Sequence, residues 1–275
     1  VTLGTACIDE AGDLSACSTL KMHYEQWFET YVAQFLNQNY EHDRNIRLKV
    51  DHSERVHDEM QSLATELKLS GPDQRIAAVM GLFHDIGRFE QFSRYQTFSD
   101  RHSEDHAALG VRILKRHTVL APWSAEDRAL ILTAIRLHNR PSLPPSLRER
   151  HLWFTRLLRD ADKLDIWRLL VEHYEQRDGE HNPAIQLDLP DTAGYSDQVY
   201  QSLLRKQPVE FRYMQNLNDF KLLQMGWVFD LNFPASVRRA HERGFLPRIR
   251  AVLPESQQVD RVYAALNAHI AEVTR

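Results

Sequence analysis

The feature that most constrains the fold is a helical spacing of apolar residues that recurs from Met22 to the end of the chain. In the segment 47–69, for example, one helical stripe is formed by Leu48, Val56, Met60, Leu63 and Leu67. Such a stripe is typical of a helix that buries one face. The sequence has no convincing strand ladder, and Gly and Pro are sparse at 10 and 11 residues. The pattern therefore predicts an all-α protein.

The breaks between these helices predict one all-helical domain over residues 22–275, preceded by a short leader. Residues 1–21 are small, polar and aperiodic, and we expect them to be disordered or non-native. Within the domain we expect a core over about residues 45–175 and a helical extension over about residues 194–275. The polar stretch 178–192 between them predicts an exposed connection and is a candidate lid.

The residues that follow Gly87 are predicted to form a loop. Glycine often stands just after the last residue of a helix, so Gly87 is expected to end the short apolar helix that begins near Asp73. Residues 88–101 are rich in aromatic residues and arginines. We therefore expect an irregular segment between this helix and the next one, which begins near Ser103.

Charge and cysteine content argue against several classes of protein. The formal net charge is −4 and the isoelectric point is near 6.4, whereas a protein that binds nucleic acid by bulk phosphate attraction is normally basic. The two cysteines, Cys7 and Cys17, are too few for a disulfide framework. No apolar run approaches the roughly 18 residues that a membrane helix needs. We expect a cytoplasmic protein without membrane or nucleic-acid partners.

Histidine and aspartate side chains interrupt the apolar stripes of five predicted helices. The residues placed in this way are His52, His84, His106, His138 and Asp162, and Asp85 adjoins His84. Each one alone has an ordinary explanation, either a hydrogen-bonded core histidine or an ion pair between helices. Burial of all six without partners would be strongly unfavourable. Four imidazoles and two carboxylates directed into a helical core predict a site for one or two divalent metal ions.

The adjacent pair His84 and Asp85 places a further constraint on this site. Neighbouring residues on a helix point about 100° apart, so both side chains reach one site only from its edge or from the last turn of the helix. There Asp85 is expected to bridge two metal ions while His84 binds one. His102 lies one turn before His106 on the same face, and its role stays open.

These residues resemble the signature H…HD…D of the HD-domain superfamily of metal-dependent phosphohydrolases. The matching stretches are DHSERV around His52, LFHDIGR around His84 and Asp85, and RDADKLD around Asp162. Two further stretches, HAALGVRIL at His106 and RLHNRP at His138, resemble the additional histidines of family members that bind two metals. The resemblance spans about residues 45–175. It implies a helical bundle and phosphomonoester, phosphodiester or nucleotide substrates.

Two branches of that superfamily differ from this sequence at characteristic positions. The cyclic-dinucleotide phosphodiesterases usually continue after their histidines with an acidic residue and a DGxGYP stretch. Here Asn139-Arg140-Pro141 follows His138, and no GYP occurs. The stringent-response nucleotide hydrolases carry an ED pair soon after HD, where this chain has Arg88-Phe89-Glu90. Both differences argue against these two substrate classes.

The resemblance implies a reaction in which a metal-activated water attacks phosphorus and Asp85 is the catalytic residue that orients it. Ligands without thiolate suit Mn, Fe, Mg, Ni or Zn. The predicted partner is a small phosphorylated substrate, in first place a nucleotide, and a homodimer is a candidate assembly. The predicted substrate contacts are Arg88, Arg94, Arg101 and Lys163.

Two alternatives remain open from the sequence. Some HD-fold proteins with a similar six-ligand set use a di-iron centre and oxygen to oxidise a small polyol or phosphonate. A metal-stabilised binding or regulatory module without turnover is the other alternative. The complete ligand set argues against the second of these, because degenerate family members tend to lose ligands.

Overall fold

The computed structural model describes residues 14–175 and 189–275, of which residues 14–22 are described by their backbone only. The first range contains helices α1 Leu14–Ala33, α2 Tyr40–Glu66, α3 Gly71–Phe83, α4 Gly87–Tyr95, α5 His106–Arg116, α6 Ala125–Leu137 and α7 Glu149–Glu175. The second range contains α8 Asp197–Leu204, α9 Leu217–Gly226, α10 Pro234–Glu242, α11 Phe245–Ala251 and α12 Gln257–Val273. Three short 3-10 turns lie at Asp100–His102, Phe211–Tyr213 and Trp227–Asp230. No strand occurs in these two ranges, so the all-α prediction is confirmed.

Capping side chains fix where several of these helices begin. The Ser124 hydroxyl accepts a hydrogen bond from the backbone N–H of Asp127 at 3.0 Å, and the Asp105 carboxylate accepts one from Ala108 at 2.9 Å. These contacts satisfy N–H groups that have no partner within the helix. Asp105 therefore places the first residue of α5, which is His106, at a defined point.

Helix α3 packs against α2, α6 and α7, and α4 packs against α5. The helices α10 and α11 of the C-terminal segment pack on α7. Trp167 of α7 is fully buried there, between the rings of Trp227 and Phe245, and its Nε1 donates to the Gln224 carbonyl at 3.0 Å. The C-terminal segment thus covers a face of the helix that carries Asp162.

The predicted loop after Gly87 was wrong in its first part. Residues Gly87–Tyr95 form α4, and Gly87 begins this helix instead of ending the previous one. A Cβ atom at Gly87 would lie 2.1 Å from the carbonyl oxygen of His106 and 2.7 Å from the backbone nitrogen of Gly110. Glycine is required here because two backbones touch, which is a tertiary contact that local sequence does not reveal.

Parts of two other predictions lie outside the described residues. These are residues 1–13 of the predicted leader and residues 178–188 of the candidate lid. Residues 14–21, also assigned to the leader, form the start of α1. The prediction missed this part of the helix because the apolar stripe on which it was based begins only at Met22. Among the helices described, none is long and apolar enough to cross a membrane.

Candidate metal centre

The six predicted ligands come together from five helices. His52 and Asp162 lie in the middle of α2 and α7, whereas the other four lie at helix ends. His84 and Asp85 follow the last residue of α3, His106 is the first residue of α5, and His138 follows the last residue of α6. Because the pair 84–85 lies just beyond its helix, both side chains point to the same site.

The cluster is buried, with one more open edge. His52, His84, Asp85, His106 and His138 each expose 6% of their surface or less. Asp162 has 17% of its side chain exposed, the largest value in the set. Access to the cluster is therefore widest beside Asp162.

The carboxylate of Asp85 lies between two pairs of histidines. Its Oδ2 is 3.6 Å from Nε2 of His52 and 3.8 Å from Nε2 of His84, while its Oδ1 is 3.2 Å from Nε2 of His106 and 3.7 Å from Nε2 of His138. This is the placement expected of a carboxylate that bridges two metal ions.

Asp162 supplies a further oxygen to the first pair. Its Oδ1 lies 3.2 Å from Nε2 of His52 and 3.6 Å from Nε2 of His84. Three overlapping groups have all their ligand atoms within 4.8 Å of one another, so each could hold a metal ion: His52–His84–Asp85, His84–His138–Asp162 and Asp85–His106–His138.

Hydrogen bonds at Nδ1 fix the orientation of all four imidazoles. Nδ1 of His84 and of His138 each lies 2.8 Å from a backbone carbonyl, those of Gly81 and Ile135. A carbonyl oxygen only accepts, so each of these Nδ1 atoms carries the proton and donates it. In the neutral imidazole, Nε2 then presents its lone pair to the cluster, as a metal ligand requires.

The other two imidazoles are held by carboxylates. Nδ1 of His52 lies 2.7 Å from Oδ2 of Asp165, and Nδ1 of His106 lies 2.7 Å from Oδ2 of Asp100. Burial raises the pKa of Asp165 and of Asp100, but the hydrogen bonds from His52 and His106, together with the contacts to Arg55 and Arg88, outweigh it, so each pKa lies below its ordinary value. Both carboxylates are therefore ionised acceptors at neutral pH.

The inward-facing nitrogen atoms approach one another closely. Nε2 of His52 lies 3.1 Å from Nε2 of His84, and Nε2 of His106 lies 3.1 Å from Nε2 of His138. Two lone pairs at this distance repel unless a cation lies between or beside them. Imidazole nitrogens together with carboxylate oxygens suit divalent transition metals, so the donor set fits the predicted metal ions.

Neighbouring charges keep both central carboxylates ionised. Burial raises the pKa of Asp85, yet neighbouring groups, with the positive charges of Lys49 and Arg88 among them, bring it well below the usual range. Burial likewise raises the pKa of Asp162. In the metal-free protein, where Nε2 of His52 and of His84 can share a proton with this carboxylate, their hydrogen bonds bring the pKa well below that range. Metal binding requires deprotonated carboxylates, and both are available at neutral pH.

Sequence reasoning missed several residues that support the cluster. Lys49 lies one turn before His52, and its Nζ is 2.8 Å from Oδ2 of Asp85. Asp165 lies one turn after Asp162 and also accepts from Arg55 Nε at 2.7 Å. Helical spacing from a known ligand could have identified both. Asp100 lies in a 3-10 turn, where no such spacing applies.

The structure places the four predicted substrate contacts differently from one another. Arg88 braces the cluster: its Nη1 donates to Asp100 Oδ1 at 3.1 Å, and its Nε lies 3.5 Å from Asp85 Oδ1. Lys163 follows Asp162 directly, and its Nζ lies 2.9 Å from Oδ2 of Asp230.

The remaining two cations lie further out. Arg94 is half exposed and pairs with Glu90 and Glu104, so it is not brought to the six clustered residues. Arg101 is exposed in the turn beside Asp100. His102, whose role the sequence left open, is exposed in the same turn and lies outside the cluster. Substrate contacts by Arg94 and Arg101 stay predictions.

The arrangement is that of an all-α metal-binding domain with ligands from facing helices. Residues 50–167 match the family model described as HD domain, and all six clustered residues fall within that range. Over residues 50–167 the chain is thus similar to HD domains, which are generally metal-dependent hydrolases. A comparison with curated proteins and a comparison with solved structures each gave no match.

Proposed function

We propose that this protein is a metal-dependent phosphohydrolase that cleaves a phosphomonoester or phosphodiester, in first place of a nucleotide, with water as the nucleophile. The observation that carries the proposal is the position of Asp85, whose two oxygens face two histidine pairs. Phosphatases and nucleases use paired divalent ions to lower the pKa of water and to stabilise the attacking and leaving oxygens of an in-line displacement.

The groups around the cluster can bind and orient a phosphoryl group. Lys49 has 17% of its side chain exposed and reaches Asp85, so its ammonium group can donate to a phosphoryl oxygen beside that carboxylate. Its Nζ also lies 5.5 Å from the centre of the Phe98 ring. Phe98 is partly buried and restricts water on this side of the cluster.

Arg88 has a positioning role in this proposal. Its contacts to Asp85 and Asp100 hold one bridging carboxylate and the carboxylate that orients His106. The guanidinium Nε has no hydrogen-bond partner among the described residues. This buried donor faces Asp85 alone, which fits the positioning role of Arg88.

The test is a metal analysis followed by a phosphate-release screen. The purified protein is analysed for bound elements, stripped with a chelator and reloaded with Mn, Fe, Mg, Ni or Zn under anaerobic conditions. Nucleoside monophosphates, triphosphates, cyclic nucleotides and a model phosphodiester are then tested for hydrolysis. The proposal predicts turnover that requires metal and is lost in Asp85→Asn.

A matched control is Asp260→Asn. Asp260 is exposed and pairs with Arg250 at 2.7 Å, and neither residue belongs to the cluster. This variant should keep full activity. Metal binding without hydrolysis of any phosphate ester would favour the binding-module alternative. Oxygen uptake by the iron-loaded protein, without anaerobic hydrolysis, would favour the di-iron oxygenase. Either result would overturn the proposal.

A further inference from the structure

A loop from the C-terminal segment docks on α7 directly beside the metal centre. The buried carboxylate of Asp160 accepts hydrogen bonds from the backbone N–H of Asn232 at 2.9 Å, from its side-chain amide at 2.8 Å and from the backbone N–H of Phe233 at 3.0 Å. The Phe233 ring packs edge-on against Trp153, with 5.1 Å between the ring centres. These contacts fix the loop Asp230–Phe233, which lies outside the matched HD domain.

This docking brings Asp230 to two cations on one face of α7. Oδ2 of Asp230 lies 3.1 Å from Nη2 of Arg159 and 2.9 Å from Nζ of Lys163. Arg159 and Lys163 are four residues apart and therefore neighbours on the helix surface. Their side chains are only 8% and 13% exposed, whereas that of Asp230 is 39% exposed. Solvent and solutes thus reach the pair from the side of the carboxylate.

The two cations adjoin the metal centre at its more open edge. Lys163 is the residue after Asp162, the most exposed of the clustered residues. Nη1 of Arg159 donates to the carbonyl of His138 at 3.1 Å and to the carbonyl of Arg140. The guanidinium group therefore contacts the backbone of His138, and Arg159 lies one helical turn before Asp162 on α7.

Two cations here share one directly paired carboxylate. In the part of the chain that the structure describes, Asp230 is the one carboxylate within 4.0 Å of the charged groups of Arg159 and Lys163. The buried carboxylate of Asp160 also acts on Lys163, but its oxygens accept the hydrogen bonds of the loop, so Asp230 is the carboxylate that pairs directly with both cations. An added anion would stabilise the cations, and the charge of Asp230 would oppose its entry.

We propose that Arg159 and Lys163 form an anion subsite for a second phosphate-type group of the substrate, and that Asp230 occupies this subsite in competition with that group. The proposal rests on the proposed function and narrows its substrate class to molecules with an anionic group beyond the phosphoryl group at the metals. Asp230 then lowers the affinity for any single small anion. It favours substrates that engage the metal centre and the cation pair together.

Binding of inorganic pyrophosphate to the metal-free, full-length protein tests this subsite by calorimetry. Asp230→Asn should bind pyrophosphate about three- to tenfold more tightly, because a competing negative charge is removed. Lys163→Gln should bind it several-fold more weakly. Both effects should shrink at high salt. Asp230→Asn keeps the hydrogen bonds of Asp160 to the loop, so the fold is expected to persist.

Two matched controls carry the same substitutions at exposed ion pairs of the C-terminal segment. Asp260→Asn breaks the pair with Arg250, and Lys206→Gln breaks the pair with Glu272; both should bind pyrophosphate as the unmodified protein does. If Asp230→Asn binds pyrophosphate no more tightly than Asp260→Asn, Asp230 is only a structural link and the subsite is refuted. Because metal-free protein is used, this outcome is independent of whether phosphate esters are hydrolysed.

Discussion

The two histidine pairs of the metal centre differ in the number of oxygen donors that each receives. Nε2 atoms of His52 and His84 lie within 4.0 Å of oxygens from both Asp85 and Asp162. Among the described residues, Nε2 atoms of His106 and His138 have an oxygen within that distance only from Asp85. The His52–His84 half of the centre thus offers four protein donors, and the His106–His138 half offers three.

The groups that support the two halves differ in the same direction. Asp165, which holds His52, has 5% of its side chain exposed and is paired with Arg55 and Arg168. Asp100, which holds His106, has 33% of its side chain exposed. Catalytic metal sites keep a position free for water or substrate, whereas structural sites are closed by protein ligands. The difference indicates that the His106–His138 half is the open one, with a coordination position free for water or substrate, and that the His52–His84 half is the closed one. Solvent still reaches the centre from the edge beside Asp162.

Removing the carboxylate that both halves share should remove metal binding from both of them. In Asp85→Ala both halves lose a donor, so we expect loss of both metal ions and a fall in phosphate release of about 10³-fold or more. Elemental analysis and a turnover assay measure the two effects. Retention of two ions per chain in this variant would show that Asp85 does not bridge them.

Substitution of a ligand that belongs to only one half should affect metal binding in that half alone. Asp162→Ala and His106→Ala are each expected to reduce the metal content from two ions per chain to one, with activity losses of about 10²-fold or more. His106→Ala should lose more activity, because it removes the half with the free position. Equal loss of both ions in both variants, measured by elemental analysis, would mean that the halves bind metal only together.

Changes to the supporting carboxylates should have smaller and unequal effects. Replacement of such a group typically costs 10- to 100-fold in metal affinity. We expect Asp165→Asn to reduce the metal affinity about 100-fold and Asp100→Asn to reduce it about 10-fold, because Asp165 is buried within a network of two arginines. Competition with a chromogenic chelator gives both affinities. The reverse order would contradict the distinction between a closed and an open half.

The contribution of Asp165 to the stability of the protein should persist until low pH. The pKa of Asp165 is held below its ordinary value of 3.8, so its contribution to stability is complete above 3.8 and is lost only as the pH falls further. The difference in free energy of unfolding between the unmodified, metal-free protein and Asp165→Asn should therefore not decline from pH 7 to pH 5. Urea denaturation at several pH values tests this, and a difference that already declines at pH 5 would contradict the lowered pKa.

The sequence contained most of the centre because its ligands interrupt apolar stripes at helical spacing. His52 and Asp162 are predictable in this way, and so are Lys49 and Asp165, each one turn from a ligand. Asp100 could not be predicted, because its turn has no periodicity. The position of Asp230 depends on how the C-terminal segment folds back onto α7, a contact between residues about 70 positions apart.

Helix α4 shows the same limit at the level of the fold. Its start at Gly87 was mistaken for a helix end, because a glycine that permits a turn and a glycine that permits close packing look identical in sequence. The reason for this glycine lies in α5, about 20 residues further along the chain. Local patterns therefore predicted residues that the structure brings together, but not the contact that sets their spacing.

That contact determines how far the centre can be re-engineered. The backbone at Gly87 touches the carbonyl of His106, so the segment with His84 and Asp85 and the start of α5 form one rigid block. Even a single methyl group at position 87 would push this block apart and lengthen the distance between Asp85 and His106. Selection for a larger or smaller metal ion would therefore have to act through the ligands and their supporting carboxylates, since the backbone contact at Gly87 leaves no space for the two segments to move closer together.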